Sequence, residues 1–393
     1  MRGRVTSTQQ LSAEDLAVDR QLADLARGFR FLLDLTPIDL PEVRRRFEQD
    51  GRVPPFRYRE LEDDPEVAAK RLVAVPVQDV SDPMLASLLL AKQRELRLQL
   101  EMLVSRGSEQ LLALSIELYG TVTPELLARA RAILREVKPP HPEEGPWLDA
   151  QAVCKAAQTE LDRYRAFAPD LESHVEVREG STGVMVSHGD VLIAPTCRVA
   201  VSRIEALLHH EVGTHVVTHV NGAHQPLHVL ADGLAGHDET QEGLAVLAEH
   251  LVGGLTPSRL RQLAGRVVAV HLMVEGVPFE DVHATLVSHG VPHLQAFTTA
   301  VRVFRAGGLT KDAVYLRGLL ELVDHLSTGG DLDTLLLGKM PLTAVPLVRD
   351  LHGRGMLNDA LLRPRYLDDP RARERLAGLA EVRSPVDLIG EAA

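Results

Sequence analysis

The sequence predicts a mainly α protein carrying a small β-sheet, an α+β fold. Three observations predict it. Apolar residues recur at helical spacing along most of the 393-residue chain. The period drops to two only between about 174 and 193. Prolines cluster between the periodic segments.

The elements follow in order. Residues 12–35 read as a helix capped by Ser12, with Glu14 and Asp15 in its first turn, ending at Pro37 and Pro41. Residues 50–81 hold Pro54, Pro55, Pro65 and Pro76, and read as irregular with a short strand near 72–77. Ser81-Asp82-Pro83 opens a long helix to about 105, followed by helices at 107–119 and 123–137. Pro139, Pro140, Pro142 and Pro146 form a stiff connector, which divides an N-terminal helical region, 1–140, from a catalytic domain, 141–393. An amphipathic helix spans 147–167. Strands at 174–177, 183–187 and 191–193 follow, the last two joined through His188-Gly189-Asp190. Helices then fall at 199–220, 239–252, 256–274, 279–289, 292–305, 310–327 and 341–352.

Composition narrows the function. Hydrophobic residues are 45% and charged residues 25%, so a chain of this length can bury a large core. Cys154 and Cys197 are too few for a disulfide framework. A net charge of -12 argues against binding nucleic acid or anionic membranes, and aromatics at 4% offer few stacking platforms. No apolar run approaches the ~20 residues of a membrane span. The basic start leads into Ser12-Ala13-Glu14-Asp15, not an apolar signal core. A cytoplasmic enzyme or regulator is expected.

One region is chemically dense. Eight of the 17 histidines lie between 209 and 250, and among them stands His210-Glu211-Val212-Gly213-Thr214-His215. A zinc hydrolase needs three His or carboxylate ligands, one open position for water and a base beside that water. The familiar HExxH helix places its two His four apart on one face. Here they are five apart, roughly 140° around a regular α-helix. A π-bulge would return both to one face. Gly213 eases such a distortion, and Thr214 can hydrogen-bond to the loosened turn. The best third ligand is Glu242, 27 residues beyond His215 and beside the unobstructive Gly243. Glu211 is then the general base. Other divalent ions also suit such donors. His215 and His219, four apart, offer a rival pair that needs no bulge but leaves Glu211 a turn away. A His-rich helix without metal is the plainest alternative. Glu249, seven residues after Glu242, either orients a ligand His or faces solvent. Asn221, Gln225 and Pro226 end the helix.

His209-His210-Glu211-Val212-Gly213-Thr214-His215 and Gln241-Glu242-Gly243-Leu244-Ala245 resemble the paired signatures of the microtubule-associated tyrosine carboxypeptidase family, whose bacterial members are called QEGLA-motif proteins. Segments 221–227 and 307–312 are also similar, and the resemblance covers roughly 140–370. It implies a zincin-like metallopeptidase core, zinc on His210, His215 and Glu242, and Glu211 as the catalytic residue. It also implies a peptide or protein C-terminus as substrate.

A carboxypeptidase must recognise a free carboxylate, which Arg does through paired hydrogen bonds. Arg302, Arg305, Lys311, Tyr315 and Arg317 cluster about Gly307-Gly308 and are the candidates, with Tyr315 an alternative oxyanion donor. The edge strand of the 184–193 hairpin would pair with an extended peptide. The expected function is thus a zinc-dependent carboxypeptidase. The alternatives are a non-enzymatic peptide-binding or regulatory protein with a structural metal, and a zinc hydrolase of small amides.

Overall fold

Several helix starts in this chain are set by an Asp, Ser or Thr whose side chain accepts from the first turn, often with proline next. The computed structural model describes residues 11–139, 145–179, 181 and 183–389. Ser12 accepts from Asp15 N (3.0 Å) and opens α1, Ala13–Arg27. A separate turn, α2 (Phe31–Asp34), follows, so the helix expected over 12–35 is two. Pro41 does not terminate a helix but sits in the first turn of an unpredicted one, α3 (Leu40–Asp50), where a missing N–H costs nothing. The strand expected near 72–77 is also absent. Asp64 caps Glu66 N (2.8 Å), Pro65 follows, and the apolar run ends α4 (Pro65–Val73) with Leu72 buried. Helices α5 (Pro83–Val104), α6 (Gln110–Tyr119) and α7 (Pro124–Glu136) lie close to their predicted spans. The boundary predicted near residue 140 falls in a segment, 140–144, outside the described residues.

Two predicted helices give up their first residues to a sheet. β1 (Trp147–Asp149) pairs antiparallel with β5 (Arg198–Ala200), and α8 (Ala150–Arg165) begins only where Asp149 caps Ala152 N. The period-2 region forms β2 (Val175–Val177), β3 (Val184–Ser187) and β4 (Asp190–Ile193) in the order β2-β4-β3. The predicted β3–β4 hairpin is present, and β3 is left as an edge.

The rest is helical: α9 (Ile204–His210), α10 (Val217–Ala223), α11 (Val229–Asp232), α12 (His237–Leu251), α13 (Pro257–Val274), α14 (Phe279–Ser288), α15 (His293–Phe304), α16 (Val314–Ser327), α17 (Leu332–Leu335), α18 (Val345–Gly353) and an unpredicted α19 (Pro370–Ala377). Helix α12 is the axis of the fold, with Gly243 through Leu251 all buried. It meets α16 at Gly243 and Gly318, where an added Cβ on Gly243 would lie 2.5 Å from the Gly318 backbone. One apolar cluster runs from Val18 of α1 through α12 and α13 to Leu388, so the N-terminal helices and the C-terminal ones share a core. A smaller cluster joins α8, the strands and Val212, Val216 and Val217. Among the described residues no single helix is long and apolar enough to cross a membrane.

Candidate functional site

Between α9 and α10 the helix does not stay regular. Residues Glu211–Val216 form a π turn, the distortion that the five-residue histidine spacing requires. Thr214 Oγ1 donates to His209 O five residues back (3.0 Å), filling the widened ladder. Gly213 lies where a side chain would press on the His209 ring, 3.2 Å from its Nδ1. The extra residue rotates His215 onto the face of His210, and their ring centroids stand 5.3 Å apart.

Helix α12 delivers the carboxylate. Glu242 Oε2 lies 3.9 Å from His210 Nε2 and 3.8 Å from His215 Nε2, and Glu211 Oε1 is 4.0 Å from His210 Nε2. Two imidazole nitrogens thus converge with oxygens of two carboxylates, Glu242 and Glu211, and the ligand atoms of His210, Glu211 and His215 all lie within 4.8 Å of one another. The donor types and the clustering fit a zinc ion with one open position. Beside Glu242, Gly243 lets α12 pack closely on α16: any larger residue would strike the Gly318 backbone. The rival pairing fails. His219 is turned away, its Nδ1 3.1 Å from Ala231 O and its ring against Gly189.

Surrounding groups fix this arrangement. His210 Nδ1 donates to Glu249 Oε1 (2.9 Å), and Glu249 is itself held by Arg203 (2.6 Å) and Arg259 (3.1 Å). Glu249 is therefore not solvated but orients a histidine, one of two roles its spacing left open. Burial raises its pKa, but Arg259, His210 and Arg203 outweigh burial and hold it well below the ordinary range. On the opposite side Lys311 Nζ sits 2.7 Å from Asp238 and 3.5 Å from Glu242 Oε1, so it holds the second oxygen of that carboxylate. Burial opposes ionisation of Glu242, yet Lys311 and the two histidines keep its pKa low. Burial drives His215 down to about 3, so its ring is neutral. Glu211 is raised to about 7 by burial, with His210 opposing and Glu242 adding to the rise. A carboxylate titrating there is matched to general-base work at neutral pH.

These groups line a cavity of about 240 Å³. Of the five side chains expected to meet substrate, Arg302, Arg305, Lys311 and Tyr315 line it. Arg317 does not. It donates to Glu239 (2.7 Å) and to Tyr119 O (2.7 Å), pinning α16 to α12 and α6. The edge strand contributes Val184, Met185 and Val186 to the wall. Several lining residues had no sequence signal: Leu32, Leu33 and Thr36 from the α2 segment, His237 and Asp238 at the start of α12, and Lys339. Gln241 lines it too, its Oε1 2.8 Å from Thr218 Oγ1 and its buried Nε2 without a partner among the described residues. Cys197 is buried and its thiol pKa is raised by burial, in keeping with an inert role.

Comparison with known proteins adds two findings. A family model described as "Microtubule-associated tyrosine carboxypeptidase" matches residues 45–383. The protein named microtubule-associated tyrosine carboxypeptidase 1 from Mus musculus is 27% identical over 188 residues, 44% of this chain and 38% of that protein. Its counterpart from Rattus norvegicus is 28% identical over 185 residues, with the same two shares. The aligned part is thus well under half of either relative's length.

Proposed function

The chain belongs to the microtubule-associated tyrosine carboxypeptidase family, and from that premise we propose that it is a zinc-dependent carboxypeptidase with a zincin-like core, removing the last residue from a peptide or protein chain. The observation that carries the reading is the π turn, which puts His210 and His215 on one face, where Glu242 of α12 meets them with Glu211 alongside. The relatives' names make a C-terminal tyrosine the first substrate residue to try.

His210 Nε2, His215 Nε2 and Glu242 Oε2 would hold the ion. When bound, it supplies Lewis-acid polarisation of a water molecule and of the scissile carbonyl. Glu211 takes the proton from the attacking water and passes it to the leaving amine, which its raised pKa suits. Glu249 fixes the His210 tautomer by accepting from Nδ1, leaving Nε2 as a lone-pair donor. Lys311 holds one oxygen of Glu242 so that the other faces the histidines. Tyr315, its pKa raised by burial, stays protonated and can donate to a developing oxyanion. The β3 edge, with Val184, Met185 and Val186 on the cavity wall, offers main-chain partners to an extended substrate.

Glu211→Gln tests the reading. The variant should keep the metal and lose about 10²–10⁴-fold in the rate of terminal-residue release. Turnover at the wild-type rate removes Glu211 from the mechanism. Metal and peptide binding by the wild-type chain with no turnover on any peptide would point to a binding protein instead.

A further inference from the structure

Four cationic side chains line the cavity, and they are not equivalent. Arg302 is spent on an internal partner: its Nε and NH2 lie 2.6 and 2.7 Å from the two oxygens of Asp312. Lys311 is held by Asp238 and Glu242. Lys339 is only half-buried. Arg305 differs from all three. It is 8% exposed, yet it has no carboxylate partner among the described residues. Its NH1 donates to Thr36 Oγ1 (3.1 Å), and its Nε donates to nothing among the described residues. The nearby Asp312 is already shared by Arg302 and Arg266.

A buried guanidinium without an anion is costly, so its retention calls for a partner from outside. The chain also strains to hold it there. Arg305 leads into Ala306 at φ 61°, a left-handed conformation that a residue with a Cβ rarely adopts. The turn is clamped by the N-terminal region: Ala306 N donates to Tyr58 Oη and Ala306 O accepts from Gly107 N, both at 2.7 Å. Thr36, Tyr58 and Gly107 come from three separate parts of that region; the first holds the Arg305 side chain and the other two hold the backbone of Ala306 next to it. Burial lowers the Arg305 pKa only to about 10, so it stays charged at neutral pH.

We propose that Arg305 anchors the free α-carboxylate of the substrate's terminal residue through NH2, with NH1 left on Thr36, and thereby confines the metal centre to the last peptide bond. The proposal rests on the carboxypeptidase reading and names the group that makes it an exopeptidase. NH2 is the guanidinium nitrogen left to make a charge-assisted hydrogen bond to a carboxylate. A C-terminal amide cannot replace that ion pair.

The test uses the full zinc-loaded chain and two forms of one probe, a pentapeptide ending in tyrosine with a free carboxylate or with a carboxamide. Binding is measured by calorimetry in the Glu211→Gln background, and cleavage in the wild type. The acid should bind at least about tenfold tighter than the amide. Arg305→Gln should weaken acid binding by roughly 10–100-fold, leave amide binding unchanged and erase the preference. In cleavage the loss should fall mainly on KM. Arg305→Lys should restore part of the preference, and it serves as the reading variant if Arg305→Gln does not fold. Equal binding of both forms by the parent, or an intact preference in both Arg305 variants, overturns the proposal. A chain that prefers the acid through Arg305 but cleaves neither form keeps the anchor and overturns the peptidase reading. Cleavage of internal bonds in the amide at the same rate keeps a peptidase and overturns the anchor.

Discussion

Single residues around the site separate into those that touch the proposed ion and those that hold them in place. Glu249 is the clearest of the second kind, because one oxygen accepts from His210 while Arg203 and Arg259 keep it ionised. Glu249→Gln should lower zinc affinity by about 10–100-fold with the fold intact, as read by competition with a chromophoric chelator. Unchanged affinity would show that His210 needs no orienting partner. Asp312 plays the same part for Arg302. Burial alone would raise its pKa, but Arg302 and Arg266 hold it well below the ordinary carboxylate range. The folded pKa therefore lies below the unfolded value of about 3.9. The stabilisation is complete above that value and is lost as pH falls toward the folded pKa. Urea unfolding from pH 6 to 3 should show stability dropping below about pH 4. Asp312→Asn should cost about 3–5 kcal/mol at neutral pH, by stranding the guanidiniums of Arg302 and of the buried Arg266, and should flatten the acid dependence. A variant as stable as wild type contradicts the ion-pair account. The sequence exposed the basic cluster at 302–317 but could not rank its members. Arg302 meets its partner ten residues away, whereas Arg305 meets Thr36 from the far end of the chain, and no local pattern encodes that difference.

At the scale of elements, the π turn was legible because two histidines and a glutamate at an irregular interval make chemical sense only if the helix is distorted. Gly213 and Thr214 mark the place, and the hydrogen bond from Thr214 to His209 O is the local reason the turn persists. The contact between α12 and α16 was only half legible. The sequence suggested that Gly243 permits close approach, but not that the approach is to Gly318, 75 residues later. Gly243→Ala should push the two helices apart, cost about 1–3 kcal/mol by overpacking, and shift Glu242, its neighbour on α12, relative to the histidines. Thermal unfolding and zinc titration of that variant read both effects. A stable variant with wild-type zinc affinity would mean that the helix pair can yield without moving the carboxylate. Misread elements have local causes. Pro41 starts a helix as readily as it ends one, and the apolar run at 72–77 is too short for period to separate strand from helix.

Across the whole molecule the N-terminal helices do more than shield the cleft. They share the main apolar cluster with α12 and α13, and the α2 segment supplies Leu32, Leu33 and Thr36 to the cavity wall. Nothing in residues 1–140 read alone carries chemistry, because their contribution is contact with elements more than 100 residues away. Asp19 shows the same coupling, accepting from His228 N (2.7 Å) and Val229 N (3.1 Å) at the start of α11. The proposed metal centre thus depends on a folded whole, and metal content per chain is its most direct measure. Purified protein incubated with zinc and then dialysed should retain one equivalent per chain, and His215→Ala, folded to the same degree, should retain none. Absence of zinc from the wild type, or an equal amount in the variant, contradicts the centre on which the account stands.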